Sequence, residues 1–308
     1  MRKRSERVAE EFTMACSKEE FLFKNAKSFD TAAKLALGDI APKRSYQHYC
    51  HLDRVLEKIA QRRWYLIKCS SPELNDLRER YKFAGSTSVL KRTYMMSFGH
   101  CCAENVAMWG LYGKCDPFAL RVTIPGGVLE NWMRRIEIKF ASGRNAVQAI
   151  KDMDVKGEKG QKLPARNIQS SVFRDVLYAS VDGEEGCRES GKKRPNRVSW
   201  GRVSYRLQED ESVLDGQYAG FMKDYEWWHE MESRLCVSLK REIADNCISI
   251  DIPQEVIAAM WFTFSPWLKP SCEAYVRNVL ESALAKAGVK SNKSKFAPSV
   301  LQGALKFR

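Results

Sequence analysis

Between Lys223 and Val237 the chain reads Lys-Asp-Tyr-Glu-Trp-Trp-His-Glu-Met-Glu-Ser-Arg-Leu-Cys-Val. Leu235, Val237 and Leu239 alternate with polar neighbours, and neither Gly nor Pro interrupts them, so the segment is predicted as a strand. Side chains on a strand alternate between faces, which would put Glu230, Glu232 and Arg234 on one side. Two carboxylates on neighbouring same-face positions repel each other. Such a pair is solvated, neutralised by cations, or held to stabilise positive charge in a substrate. Lys223, seven residues before Glu230, is a candidate partner for either carboxylate, and that pairing would be structural.

The elements that position these residues follow from pattern. Residues 45–50 are strand-like, and Asp53 opens a short amphipathic helix with Val55, Leu56 and Ile59 at helical spacing. Residues 64–69 and 93–98 are rich in β-formers. Val106, Met108, Trp109 and Tyr112 mark a helix before Gly113; residues 118–124 form a strand closed by Pro125 and two glycines. Residues 128–135 and 146–153 are predicted helical, 136–140 and 172–181 extended, and 154–169 a loop. A helix is expected from Pro270 to Ala287. Strands do not alternate regularly with crossover helices, so an α+β fold with a mostly antiparallel sheet and peripheral helices is favoured over a doubly wound one.

The chain has 308 residues, 44% hydrophobic and 29% charged, which is enough for a real core and too apolar for general disorder. The net charge of +13 favours anionic partners such as nucleic acid, nucleotides, acidic proteins or anionic lipid. There are ten cysteines but no CxxC pair, which reads as reduced thiols of a cytoplasmic protein. His100 beside Cys101 and Cys102 is too crowded for tetrahedral zinc from one segment, so no metal is expected. The basic N-terminus lacks the apolar run of a signal peptide, and the run from Val256 to Leu268 is too short to span a bilayer and is predicted as a core strand. Residues 1–43 are expected as a helical arm, 44–287 as the main α+β domain with a polar, basic insertion at 182–200, and 288–308 as a basic exposed tail.

Four blocks occur in order: Tyr46-Gln47-His48-Tyr49 leading through a helix and strand to Pro72…Asn75-Asp76; Met96-Ser97-Phe98 followed by Met108-Trp109…Tyr112; Lys223…Trp227…Glu230…Glu232…Arg234; and the segment Ile248–Pro253, then Val256-Ile257. Together they resemble the bacterial DUF2971 family over roughly residues 44–285, with departures at Leu77 and at 113–117. That family is similar to the ADP-ribosyltransferase fold, a split antiparallel sheet that grips NAD in its cleft.

The resemblance implies NAD as substrate, Glu232 as the catalytic carboxylate and Glu230 as the acceptor-side residue. It implies cofactor contact by His48, Tyr46 and Ser70, and a phosphate-anchoring or Glu232-tuning role for Arg234. A carboxylate beside the ribose would stabilise its oxocarbenium character. The implied role is a toxin or phage-defence effector that uses NAD to modify a nucleic-acid or protein acceptor, or that hydrolyses NAD, with an inhibitory partner protein and no membrane. The alternatives are a nucleic-acid- or partner-binding module in which the charges form a structural ladder, and a metal-independent nuclease.

Overall fold

The computed structural model describes residues 20–37, 45–72, 87–100, 103–138, 155–180, 188–189, 192–193, 196–200, 203–208, 220–290 and 295–302. In chain order its elements are α1 (Phe29–Leu37), β1 (Ser45–His51), α2 (Leu52–Gln61), β2 (Arg63–Lys68), β3 (Thr93–Gly99), α3 (Val106–Leu111), β4 (Ala119–Pro125), α4 (Gly126–Arg135), β5 (Val155–Gly157), β6 (Ile168–Asp175), β7 (Leu177–Ser180), β8 (Arg188–Glu189), β9 (Lys192–Lys193), β10 (Arg197–Trp200), β11 (Val203–Arg206), β12 (Met222–Asp224), β13 (Glu232–Leu239), β14 (Cys247–Asp251), α5 (Gln254–Ala259), β15 (Trp261–Phe264), α6 (Pro270–Lys286) and β16 (Phe296–Ala297). The class is mixed α and β, with sheets that are partly antiparallel.

The chain divides into two compact units. The first comprises Met1–Ala41, Cys69–Thr93 and Arg174–Arg234; the second comprises Pro42–Lys68, Tyr94–Phe173 and Leu235–Arg308. In the first, a four-stranded sheet runs β11-β10-β7-β12, antiparallel except for the parallel pair β7 and β12. Its core is Phe23, Phe29 and the small face of α1 (Ala32, Ala33, Ala36) packed on Leu177, Val198, Trp200 and Tyr205. Alanines at i, i+1 and i+4 let the helix backbone approach the sheet, and Phe23 fills the remaining space against Trp200 at 5.6 Å between ring centres.

In the second unit the strand order is β16-β15-β4-β1-β3-β2-β14-β5, with β13 paired to β3 and β6 off this path. Strand β1 is covered on both faces. Tyr46 packs against Phe98 and Phe173, and Tyr49 meets Trp109 edge-on at 4.9 Å. That double coverage explains why β1 reads as near-continuous burial rather than simple alternation.

Several expectations change. The apolar run at 256–268 is not one strand: α5 takes Val256 and Ile257, and β15 begins only at Trp261. The predicted loop at 154–169 contains β5 and the start of β6, and Leu177 opens a separate strand after Val176. Of 136–140, Ile138 forms an isolated bridge to Ser171. The tail is not simply an exposed arm. Val289 and Phe296 are buried, and β16 adds a parallel strand to β15, since Phe296 stacks on Phe262 at 5.7 Å. The predicted helix at 146–153 and the pair Asn75-Asp76 lie outside the described residues, as do most of the 182–200 insertion and residues 1–19 and 38–44. Among the described residues no helix is long and apolar enough to cross a membrane.

Candidate functional site

Glu230 is not on the strand. Residues Tyr225–Glu230 form a 3-10 turn, capped at its start by Asp224, whose carboxylate accepts from the Glu226 N–H. Met231 then adopts φ 44°, a left-handed conformation that ends the turn and redirects the chain into β13 at Glu232. The Glu-x-Glu spacing therefore straddles a turn and a strand, and the two side chains still converge because a cation sits between them.

That cation is Lys223. It lies on β12, in register with Tyr178 on β7. Its ammonium donates to Glu230 Oε2 at 2.6 Å and to Glu232 Oε2 at 3.3 Å, and it lies 4.9 Å from the centre of the Trp227 ring. Arg234 grips Glu232 with two donors, Nε to Oε1 at 2.7 Å and Nη2 to Oε2 at 2.8 Å, while its Nη1 donates to the Gly220 carbonyl at 2.9 Å. The four side chains are 1–4% exposed. Of the three fates open to a same-face carboxylate pair, neutralisation by cations is the one observed.

Three neighbours complete the cluster, of which Tyr178 and Asp175 carried no signal in the sequence. The Tyr178 hydroxyl accepts the Glu232 N–H at 2.9 Å. Burial first, and then the Glu232 charge, raises that phenol well above its ordinary value, so it stays protonated. Asp175 accepts from Ser233 Oγ at 2.6 Å and from Trp200 Nε1 at 3.1 Å. Trp227 places its ring against Lys223. No spacing rule selects Tyr178 or Asp175, whereas Trp227 stands in the block that contains Glu230 and Glu232.

The first unit thus brings together Glu230, Glu232 and Arg234. It also holds Ser70, partly buried in the turn after β2. Tyr46 and His48 belong to the second unit. Tyr46 has no exposed surface. His48 is partly buried and has a partner that the sequence did not suggest, Lys58 of α2. Lys58 Nζ donates to His48 Nε2 at 3.1 Å and to the Cys50 thiol at 3.7 Å, with the Trp64 ring 5.1 Å away. An ammonium only donates, so Nε2 accepts and the ring proton sits on Nδ1, facing the Ser97 carbonyl at 3.2 Å. Desolvation, reinforced by the Lys58 charge, holds His48 well below the ordinary imidazole value.

Among the described residues no group of three or more His, Cys, Asp or Glu side chains is arranged to hold a metal ion. Cys101 and Cys102 lie outside the described residues, and the described cysteines are free thiols.

No family model matches the chain, so the DUF2971 resemblance has no support of that kind, and no curated protein matches it. Among solved structures, a DarT from Thermus sp. 2.9 in complex with carba-NAD+ is similar in outline. It is 9% identical, with 84% of this chain and 96% of that chain covered and a TM-score of 0.33. Those values describe a loose likeness.

Proposed function

We propose that the chain is an ADP-ribosyltransferase-like protein that uses NAD as its substrate, with Glu232 as the catalytic carboxylate. The observation that carries the reading is the fixation of Glu232: both carboxylate oxygens are held by Arg234, and Lys223 adds a third donor. A carboxylate held in place among permanent donors stays charged and pays no reorganisation when positive charge develops nearby. In the proposed step the bond from ribose C1′ to nicotinamide breaks, and the leaving group takes the electron pair. Glu232 stabilises the oxocarbenium-like sugar, and an acceptor oxygen or nitrogen forms the new bond and loses its proton. Glu230 takes the acceptor-side place, steered by Lys223. Ser70, in the same unit as Glu232, keeps its proposed role at the cofactor, and Arg234 acts through Glu232 as a positioning residue. The reading does not draw on His48 or Tyr46, which belong to the second unit, and Tyr46 has no surface to offer a cofactor.

The acceptor is a macromolecule, nucleic acid or protein, or water in the hydrolytic case. The role in the cell is that of a bacterial toxin or phage-defence effector, held inactive by a partner protein. The role and the partner are what the resemblance carried by the ordered sequence blocks implies, and the basic charge of the chain suits a nucleic-acid acceptor.

A second reading is favoured by a specific observation. Lys223, Glu230, Glu232 and Arg234 balance to zero and are almost wholly buried, which suits a pin that fixes how the 3-10 turn enters β13 in a non-catalytic binding module.

The deciding experiment follows nicotinamide release from NAD by the purified full chain, with and without nucleic acid or lysate. Release is expected, and Glu232→Gln should lower it by about 100- to 1000-fold, the range for losing one transition-state electrostatic group. The loss must exceed any loss of folded protein, measured by circular dichroism in the same tube. Glu230→Gln should depress transfer more than hydrolysis. Absence of release under every condition leaves the structural pin as the reading.

A further inference from the structure

We propose that a groove between α2 and α6 binds a small anionic amphiphile, a hydrocarbon or aryl body ending in a carboxylate or phosphate. All the residues involved belong to the second unit, and the proposal goes beyond the NAD reading without resting on it.

The groove encloses about 680 Å³. That falls within the range of about 300–1,000 Å³ typical of small-ligand pockets. Its wall is a helical stripe. Leu56 and Ala60 are one turn apart on α2, and Tyr275, Val279 and Ala283 are successive i+4 positions on α6. Tyr275 leaves 61% of its surface exposed at one end.

The other end is cationic. Lys286 is the last residue of α6, eleven positions beyond Tyr275, or roughly 16 Å along a helix axis. Arg62 caps α2 in a left-handed conformation, φ 52°, and its Nη2 donates to the Ala287 carbonyl at 2.8 Å. That bond uses one of five guanidinium N–H groups and ties the ends of the two helices together. Among the described residues Lys286 has no ion-pair or hydrogen-bond partner, and no carboxylate lines the groove. Two helix C-termini meet here, each carrying about half a negative charge, but two full cations outweigh them. A trough whose floor is mainly apolar, with the neutral polar Asn278 and Ser282 on the α6 side and aromatic and cationic ends, selects a molecule largely apolar along its length and negative at one tip. A neutral or cationic amphiphile would leave Arg62 and Lys286 without a counter-charge.

Calorimetric titration of the full chain with dodecanoate and with dodecyl phosphate, both below their micelle concentrations, tests this. Dodecyltrimethylammonium serves as the cationic control, and phosphatidylglycerol vesicles distinguish a membrane headgroup from a free ligand. Saturable one-site binding of both anions is expected. Lys286→Glu should weaken it at least fivefold, and Val279→Trp, which fills the trough, should weaken it more. Ser282→Trp, at an exposed lining position, repeats the block should Val279→Trp unfold. Equal binding of the cation, anion binding that survives both tryptophans, or association with vesicles alone would overturn the proposal. Nicotinamide release is measured separately, so failure here leaves the NAD reading untouched.

Discussion

At the start of β13 two carboxylates meet two cations, whereas beside β1 the Lys58 ammonium meets an imidazole, a thiol and an indole face. Both are clusters of polar groups set into apolar surroundings. In the first, every charge has an opposite charge at hydrogen-bond distance, and nothing needs to reach water. In the second, among the described residues, Lys58 has no carboxylate within ion-pair distance. It keeps part of its surface exposed and rests its charge on the π-face of Trp64 and the lone pair of a neutral His48. The teaching is about cost. A compensated quartet tolerates full burial and then resists any change to one member. An uncompensated cation tolerates only partial burial and shifts the titration of its neighbours instead.

The sharpest way to break this contrast is Glu232→Gln. It leaves Arg234 and Lys223 facing one fewer negative charge in a buried setting, and removing one partner of such a pair costs about 3–5 kcal/mol. Urea unfolding of the variant should show a loss of that size with an unchanged slope. The paired replacement Glu232→Leu with Arg234→Met removes the charges together, and it should recover most of the loss, because an apolar pair of similar volume is often neutral or better. A double variant as unstable as the single would mean that Arg234 is held mainly by the Gly220 carbonyl and not by Glu232.

How much of this was legible beforehand varies by residue. Strands β1 and β2 and helix α6 lie where their β-rich runs and helical spacing put them, since local preference and burial agree there. Glu230 was misplaced because period-2 reasoning runs straight through a 3-10 turn, and only the left-handed Met231 reveals the break. The run from Val256 to Leu268 hid a helix followed by a strand, because a fully buried apolar stretch carries no period to tell the two apart. Phe296 in the basic tail looked solvated because its partners, Phe262 and Phe264, are more than thirty residues away in the chain. Lys223 was legible as a partner of Glu230 and Glu232, but Lys58 was not legible as a partner of His48. That contact spans ten residues between a strand and a helix and has no pattern in the sequence.

A smaller effect sharpens the other side of the comparison. Lys58→Met keeps the stem against Trp64 and deletes the charge. Because no carboxylate is orphaned among the described residues, the substitution should be neutral to stabilising by about 1 kcal/mol, the sign opposite to Glu232→Gln. A loss of 2 kcal/mol or more in thermal unfolding would show that the bonds from Lys58 to His48 and Cys50 outweigh the burial of its charge.

The smallest expected effect is in pH dependence, and its sign follows from His48. The folded ring titrates well below the ordinary value, first because of burial and then because of Lys58. The unfolded chain has an ordinary imidazole, near pH 6.5. Between those two values the unfolded chain binds a proton that the folded protein refuses, so stability is complete above about pH 6.5 and falls as the pH drops toward the folded value. One such group contributes a slope of at most about 1.4 kcal/mol per pH unit. To isolate this group the comparison is between wild type and His48→Gln, followed by urea midpoint from pH 7.5 to 5. The variant should lose the part of the slope that begins near pH 6.5. Lys58→Met should only reduce it, since the charge that helps to depress His48 is gone while the burial remains. Superimposable slopes for wild type and His48→Gln would mean that the imidazole titrates alike in both states, and that Lys58 and His48 do not interact as their 3.1 Å separation implies.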